Sequence, residues 1–410
     1  MKRNFNNLGE EMRKYSVMVL ILTAMMSAAS AGAMQNIRFG GAIDINPTVS
    51  VQQSYDSNIH LDNHPSSAWI NRAGLGVDFV NKIGSRLDLT GGYAAEFLSY
   101  SRNSNINNAT HQFVNLGAVS RLPRDMDITV DDKYMLTTDP ATTVDVARAS
   151  RLQNTADVGV DAPLRGKFGF NLSAQHTYHN YLTGNYDLLD RQEMLVGGEV
   201  TYKVQPKTKL LFGYRYGTMA YRLGANDFRL VSANKGDSYY NDLDLGVTGN
   251  LAPKVTGTIK AGVQFRNYLQ HLNQAKNDIT TGGYNVQLVW SPMTLTDVML
   301  YGSRGNVETT YGKSRFYTST VGDISLSREV HKIKAGLGFN YETLAFPEKS
   351  PITPTLKRLD TDTSVRLTAE YDIQKWLKAD AAYTYKNRAS NDRVNRYSDN
   401  ICSVELKGMF

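Results

Sequence analysis

Residues 333–343 read Ile-Lys-Ala-Gly-Leu-Gly-Phe-Asn-Tyr-Glu-Thr. Ala335, Leu337, Phe339 and Tyr341 share one parity, and Lys334, Gly336, Gly338, Asn340 and Glu342 share the other. Successive side chains of a strand point to opposite faces, so this stretch predicts a strand with one greasy and one polar side. The same alternation recurs at Ser85–Phe97, where Leu87, Leu89, Tyr93, Ala95 and Phe97 oppose Asp88, Thr90, Gly92, Ala94 and Glu96. It returns at Gln192–Tyr202 and at Val255–Phe265. Three segments alternate poorly: Phe113–Arg121, Met126–Leu136 and Phe316–Leu326.

The connections alternate too. Short turns are expected near Asn81–Gly84, Leu122–Asp125, Pro163–Gly166, Lys203–Lys207, Asn250–Lys254, Ser291–Thr294, Arg328–His331 and Ile373–Trp376. Pro123, Pro163, Pro206, Pro253 and Pro292 fall in them, as expected of a residue that lacks the ladder N–H. Longer polar segments lie between, among them Asp56–Ser67, Leu98–Asn108, Arg222–Gly236 and Phe346–Leu359. One short turn and one long loop recur about every 40 residues. A WD40 propeller shares that period, but it packs four short strands into each repeat and carries Gly-His and Trp-Asp marks, which are missing here. Counting from Ile45–Tyr55 gives nine hairpins and about eighteen strands, with sixteen the alternative count. Both termini then sit on the short-turn side.

Soluble antiparallel sheets alternate as well. Three further features favour a closed antiparallel up-and-down β-barrel crossing a membrane. Val17–Met26 is a short apolar run preceded by Arg13 and Lys14 and followed by small residues, as in a secretory signal peptide. Cleavage is expected after residue 31 or 33, with translation starting at Met1 or at Met12. The apolar run is too short to span a bilayer as a helix. Residues 32–44 then form a short periplasmic segment and 45–410 the barrel. Trp69, Trp290 and Trp376 stand at strand ends, where interfacial aromatics gather, and Tyr (24) outnumbers Phe (14) and Trp (3). The chain ends in a strand alternating Val404, Leu406, Gly408 and Phe410, and a terminal Phe410 resembles the signal read by barrel-assembly machinery.

Within hydrocarbon the apolar face must meet lipid and the polar face must line the interior. Pore-lining candidates are Arg151, Arg191, Glu193, Glu199, Arg215, Asp242, Asp244, Lys260, Arg266, Lys334, Glu342, Arg366, Glu370, Lys378 and Asp380, together with Lys167, Lys209, Asp88, Glu96 and Asp157. The signs balance, so ion selectivity is not readable. Cations and anions on one wall would equally serve as cross-strand salt bridges. Gly197, Gly213, Gly246, Gly262, Gly336 and Gly338 keep the inner face small, and a barrel of about eighteen strands is too wide for side chains to fill.

No catalytic site is visible. His176 and His179 point to opposite faces of one strand, and His60 and His64 fall in a loop beside Asp56 and Asp62. Asp242 with Asp244, and Asp157 with Asp161, read as ion-pair members. No metal or cofactor is expected. The single Cys402 excludes a disulfide framework. The formal charge of +6 falls to about +4 once Lys2, Arg3, Arg13, Lys14, Glu10 and Glu11 are removed, and its scatter argues against a nucleic-acid partner.

Tyr55-Asp56-Ser57-Asn58-Ile59, the alternating strands after it and the terminal Phe resemble the type 2 β-barrel porin family of the bacterial outer membrane, a family associated with exopolysaccharide or capsule export. The resemblance implies a channel or export barrel in outer-membrane lipid, passing a polar solute such as a polysaccharide, as a monomer or homo-oligomer. An outer-membrane hydrolase barrel and an adhesive barrel acting through its loops are the alternatives. N-terminal mass spectrometry of the mature protein should find Gly32 or Met34 as its first residue; a chain retaining Val17–Met26 would contradict the signal peptide.

Overall fold

The computed structural model describes residues 37–39, 43–140, 148–164, 166–184, 186–223, 236–269, 278–309, 314–349 and 356–410. The proposed signal peptide, and residues 32–36 and 40–42 of the segment 32–44, lie outside them. Strands are β1 Ile37–Phe39, β2 Ile43–Asp56, β3 Ala68–Ile83, β4 Leu87–Tyr100, β5 Ala109–Leu122, β6 Met126–Thr137, β7 Arg151–Pro163, β8 Phe168–Tyr181, β9 Arg191–Gln205 and β10 Thr208–Tyr221. They continue as β11 Ser238–Ala252, β12 Val255–Tyr268, β13 Asp278–Met293, β14 Thr296–Glu308, β15 Phe316–Val330, β16 Ile333–Lys349, β17 Lys357–Gln374, β18 Leu377–Ser390 and β19 Tyr397–Met409. Each of β2–β19 pairs antiparallel with its sequence neighbours, and β19 returns to pair with β2 from Ile401↔Asp56 to Met409↔Thr48. The eighteen strands therefore close, which settles the count over sixteen.

Closure follows from the alternation. A two-faced strand paired on both edges leaves no free ladder and gives every backbone group a partner. Strands of 12–18 residues exceed the ~9–11 needed to cross a bilayer at a tilt. Leu75, Leu116, Leu172, Leu245, Leu337 and Val404 project outward, each between 46% and 64% exposed. Aromatic residues frame that belt. Trp69 tilts against Tyr55 (centroids 5.2 Å) at the long-loop end, whereas Trp290 and the Trp376–Phe410 stack (5.6 Å) mark the short-turn end.

The eight short turns fall where the sequence places them. Tightness demands left-handed backbone there: Gly84 has φ 62°, and Arg124 and Asp125 have φ 68° and 57°. Several boundaries differ from the sequence reading, four of them for reasons visible in the ladders. β2 begins at Ile43 rather than Ile45, because Ile43–Ile45 pairs with β1 on one side and β3 on the other. Pro292 lies inside β13, where the β13–β14 register shifts between Trp290 and Met293, so a bulge rather than the turn absorbs the missing N–H. Phe346–Lys349 and Lys357–Leu359 are strand rather than loop; Pro347 is accommodated by a register shift between Ala345 and Lys349.

The seam between first and last strands is stitched at both ends. At the short-turn end the Phe410 N–H donates to Pro47 O (2.9 Å), and β1 continues along β2 beyond the end of β19. At the long-loop end the Ser57 hydroxyl donates to Asp399 Oδ1 (3.0 Å), and the Asn58 N–H donates to Asp56 Oδ1 (2.9 Å) and Asp399 Oδ1 (3.1 Å). The Asn58 amide donates to Asp62 O (2.8 Å) and Ser398 O (3.2 Å). Asn58 is 1% exposed, so its loss removes the donor to two part-buried carbonyls and the link they make across the seam. Asn58→Ala should lower barrel stability by about 1–3 kcal/mol, read as a fall in the temperature at which the folded band disappears in heat-modifiability gels. Asn63→Ala, in the exposed part of the same loop, should shift it by under ~0.5 kcal/mol.

Candidate functional site

The site is the lumen, and the ladder registers define what faces it. Glu199 pairs with Gly213 and Asn171, Asp244 pairs with Gly213 and Gly262, and Lys260 pairs with Gly246 and Asn285. These positions form one inward parity, opposite the exposed Val200, Phe212, Leu245 and Ile259. The same registers put Arg151, Arg191, Glu193, Arg215, Asp242, Arg266, Lys334, Glu342, Arg366, Glu370, Lys378 and Asp380 on the inward side. Lys167 is different. It sits in the β7–β8 turn with its ammonium 5.9 Å from the Tyr202 ring, because β8 begins one residue later.

The inward charges are largely paired. Arg215 reaches Asp244 (2.7 Å) and Asp242 (3.6 Å), and Lys260 pairs with Glu199. Arg191 Nε donates to Glu193 (2.7 Å), with His179 Nε2 3.6 Å from the same carboxylate. On the opposite wall Lys378 meets Glu370 (2.7 Å) and Asp372 (3.4 Å), and the Ser319 hydroxyl donates to Glu342 (2.5 Å). The Arg215, Lys378 and Ser319 contacts hold neighbouring strands in register, whereas Arg191–Glu193 lies within β9 and Lys260 reaches from β12 across to β9. Around Glu199, Lys209, Arg215, Asp244, Lys260 and Asn285 the wall hollows into a cavity of about 740 Å³. A second hollow of about 480 Å³ lies by Lys334, Arg366, Glu370 and Asp380. Gly213 and Gly262 face Asp244, and an added Cβ on Gly262 would stand 2.5 Å from its Oδ1.

Toward the long loops the lumen narrows. The β13–β14 ladder stops at Tyr284↔Arg304, although β13 continues against β12 to Asp278 and β14 against β15 to Glu308. The freed end of β14 leans across β13. The Asn306 amide donates to Thr281 Oγ1 (2.8 Å) and Gln264 Oε1 (3.3 Å), and Glu308 pairs with Arg266 and accepts from the Tyr268 hydroxyl (2.9 Å), both on β12. Met219, Tyr221, Tyr268, Ile279 and Phe316 pack beneath these polar groups, and Arg266 and Arg315 lie 4.6 Å from the Tyr240 and Tyr268 rings. Opposite, Arg148 reaches in from the β6–β7 loop. It donates to the Tyr100 hydroxyl (2.6 Å) and Ile59 O (2.8 Å) and stands 3.6 Å from Asp56 and 3.5 Å from Asp139. The sequence reading missed Glu308 and Arg148: both act through contacts that skip a strand or descend from a loop, and neither leaves a periodic trace. In the β8–β9 loop, burial holds the Asp190 carboxyl above its ordinary range, against the lowering effect of the Tyr181 N–H (2.7 Å) and Arg222 (3.3 Å).

His176 faces outward and His179 inward, and His64 donates its backbone N–H to Asp62 in the β2–β3 loop. Among the described residues no three His, Cys, Asp or Glu side chains gather as a metal site.

A family model described as "Putative beta-barrel porin 2" matches residues 36–410. The chain belongs to this family. A comparison with curated proteins finds no match. Among solved structures, the chain is similar to OpdK of Pseudomonas aeruginosa with vanillate (9% identity, 90% of this chain, 99% of that one, TM-score 0.50). It is also similar to the siderophore receptor PirA of P. aeruginosa (9%, 89% and 80%, 0.47) and to the FrpB iron transporter, F3-3 variant, of Neisseria meningitidis (12%, 85% and 63%, 0.46). The chain thus spans under two thirds of the FrpB chain. Family membership places this porin in the bacterial outer membrane, with the apolar belt against lipid.

Arg266 and Glu308 are 7% and 10% exposed. Glu308→Ala should therefore destabilise the barrel by about 3–5 kcal/mol, since it strands a buried guanidinium. Glu308→Gln should lose less. Thermal unfolding in detergent, followed by circular dichroism, measures both.

Proposed function

We propose that this porin is a passive, non-enzymatic channel for a polar solute of low net charge, with polysaccharide strands among the cargoes it would export. The observation that carries the reading is the paired lumen. Arg215 is matched by Asp242 and Asp244, and Lys260 by Glu199, around a polar cavity of about 740 Å³. A wall of amides, hydroxyls and neutralised charges offers hydrogen bonds to a hydrated solute without an ionic barrier to neutral ones. The pore-lining role of the inward charges belongs to this reading, as does recognition of Phe410 by the assembly machinery.

Planar-bilayer recording tests it. The purified protein should give discrete conductance steps that fall when neutral sugars small enough to enter are added, with weak ion selectivity. Lys260→Glu, which turns a matched pair into two acids, should move the reversal potential toward cation selectivity. A protein that inserts and conducts nothing would refute the open channel.

A further inference from the structure

The lipid-facing side of the wall is interrupted at one place. Among the described residues, the outward positions lying between the aromatic rows are apolar, small or neutral, except for Asp132 on β6 and His176 on β8. The ladder aligns Leu116↔Asp132↔Ala156↔His176↔Met194 across five strands. The ends of that row, Leu116 and Met194, are 51% and 52% exposed on the outside. Asp131, the neighbour of Asp132, pairs inward with Gly117 and Asp157. Tyr134 and Tyr178 lie two residues nearer the long loops, so the pair falls within the apolar belt. The Asn154 amide donates to Asp132 Oδ1 (2.6 Å). Ala156 leaves a notch between the carboxylate and the imidazole.

An ionisable group facing hydrocarbon is costly and marks a covered or functional surface. Lipid does not cover this one well, because acyl chains offer the carboxylate and the imidazole no hydrogen bond. The patch is instead complementary to itself. A two-fold axis along the membrane normal at Ala156 turns Asp132 of one copy toward the His176 side of the other, and the reverse, as an isologous interface requires. We propose that Asp132, Asn154, Ala156 and His176 form the contact through which two copies of this chain associate in the membrane.

Cysteine crosslinking in isolated outer membranes tests this. In a Cys402→Ser background, Ala156→Cys should give, on oxidation, a product of twice the monomer mass. Leu367→Cys, outward on the opposite wall, should stay monomeric. No product from Ala156→Cys, a yield equal to that of Leu367→Cys, or a product whose mass reveals a different protein would each overturn the proposal. Asp132→Leu combined with His176→Leu should convert the detergent-extracted dimer to monomer while the folded band persists on gels; a variant that remains dimeric would overturn it equally. The readout is association, so a barrel that fails to conduct leaves this inference standing.

Discussion

Everything in this molecule depends on the ladder between β19 and β2. Inside hydrocarbon an unpaired backbone N–H or C=O is worth several kcal/mol, so a sheet of seventeen intact ladders with one open is not a stable membrane structure. The seam is also the longest-range pairing in the chain, joining Thr48–Asp56 to Ile401–Met409, and closing it orders every strand between. Stitching is concentrated accordingly: Ser57, Asn58 and Asp399 at one end, Phe410 on Pro47 at the other, with β1 covering the stretch of β2 that β19 does not reach.

Closure fixes the rest by elimination. With the outside committed to lipid, the charged strand positions within the belt, Asp132 and His176 apart, are driven inward, where opposite signs meet. Packing then has only one other place to go. The four apolar clusters all lie at the long-loop end, around Ile59, Tyr181, Tyr268 and Phe346. There side chains such as Ile59, Tyr100 and Leu344 are covered on all sides. The middle of the barrel stays hollow because small and polar residues face it, while the outer mouth is narrowed by ordinary hydrophobic burial reinforced by Arg266–Glu308 and Arg148–Tyr100.

Most of the wall was legible in the sequence because a two-faced strand leaves a period of two and a tight turn leaves Gly, Pro or a left-handed residue. Parity alone groups residues such as Glu199, Asp244 and Lys260 on one face of the ladder, whereas Lys167 falls in a turn that parity does not reach. The segments that alternate poorly do so for physical reasons that parity cannot anticipate. Phe113 pairs with Met135 on the inward face, and Val321 points inward opposite Glu342, so apolar residues sit on the side expected to be polar. Asp132 inverts the rule from outside. Pro292 and Pro347 mislead because bulges let strands run through them. The mouth was illegible for a different reason: Glu308 skips a strand and Arg148 hangs from a loop, and such contacts are fixed only once the barrel has closed.

The segment that carries the family resemblance, Tyr55-Asp56-Ser57-Asn58-Ile59, has a consequence for how the family is read. None of its side chains lies in the 740 Å³ cavity. Tyr55 packs on Trp69 in the outer aromatic row; Asp56, Ser57 and Asn58 bind the first strand to the last; Ile59 is fully buried in the cluster with Leu98 and Tyr100. The motif is therefore a device for barrel closure, and two chains that share it share a way of sealing the wall. In the channel reading proposed above, what passes through is set by inward residues such as Glu199, Arg215 and Lys260, none of which the motif touches. A barrel can exchange those without disturbing its seam, because none of them belongs to the ladder between Thr48–Asp56 and Ile401–Met409.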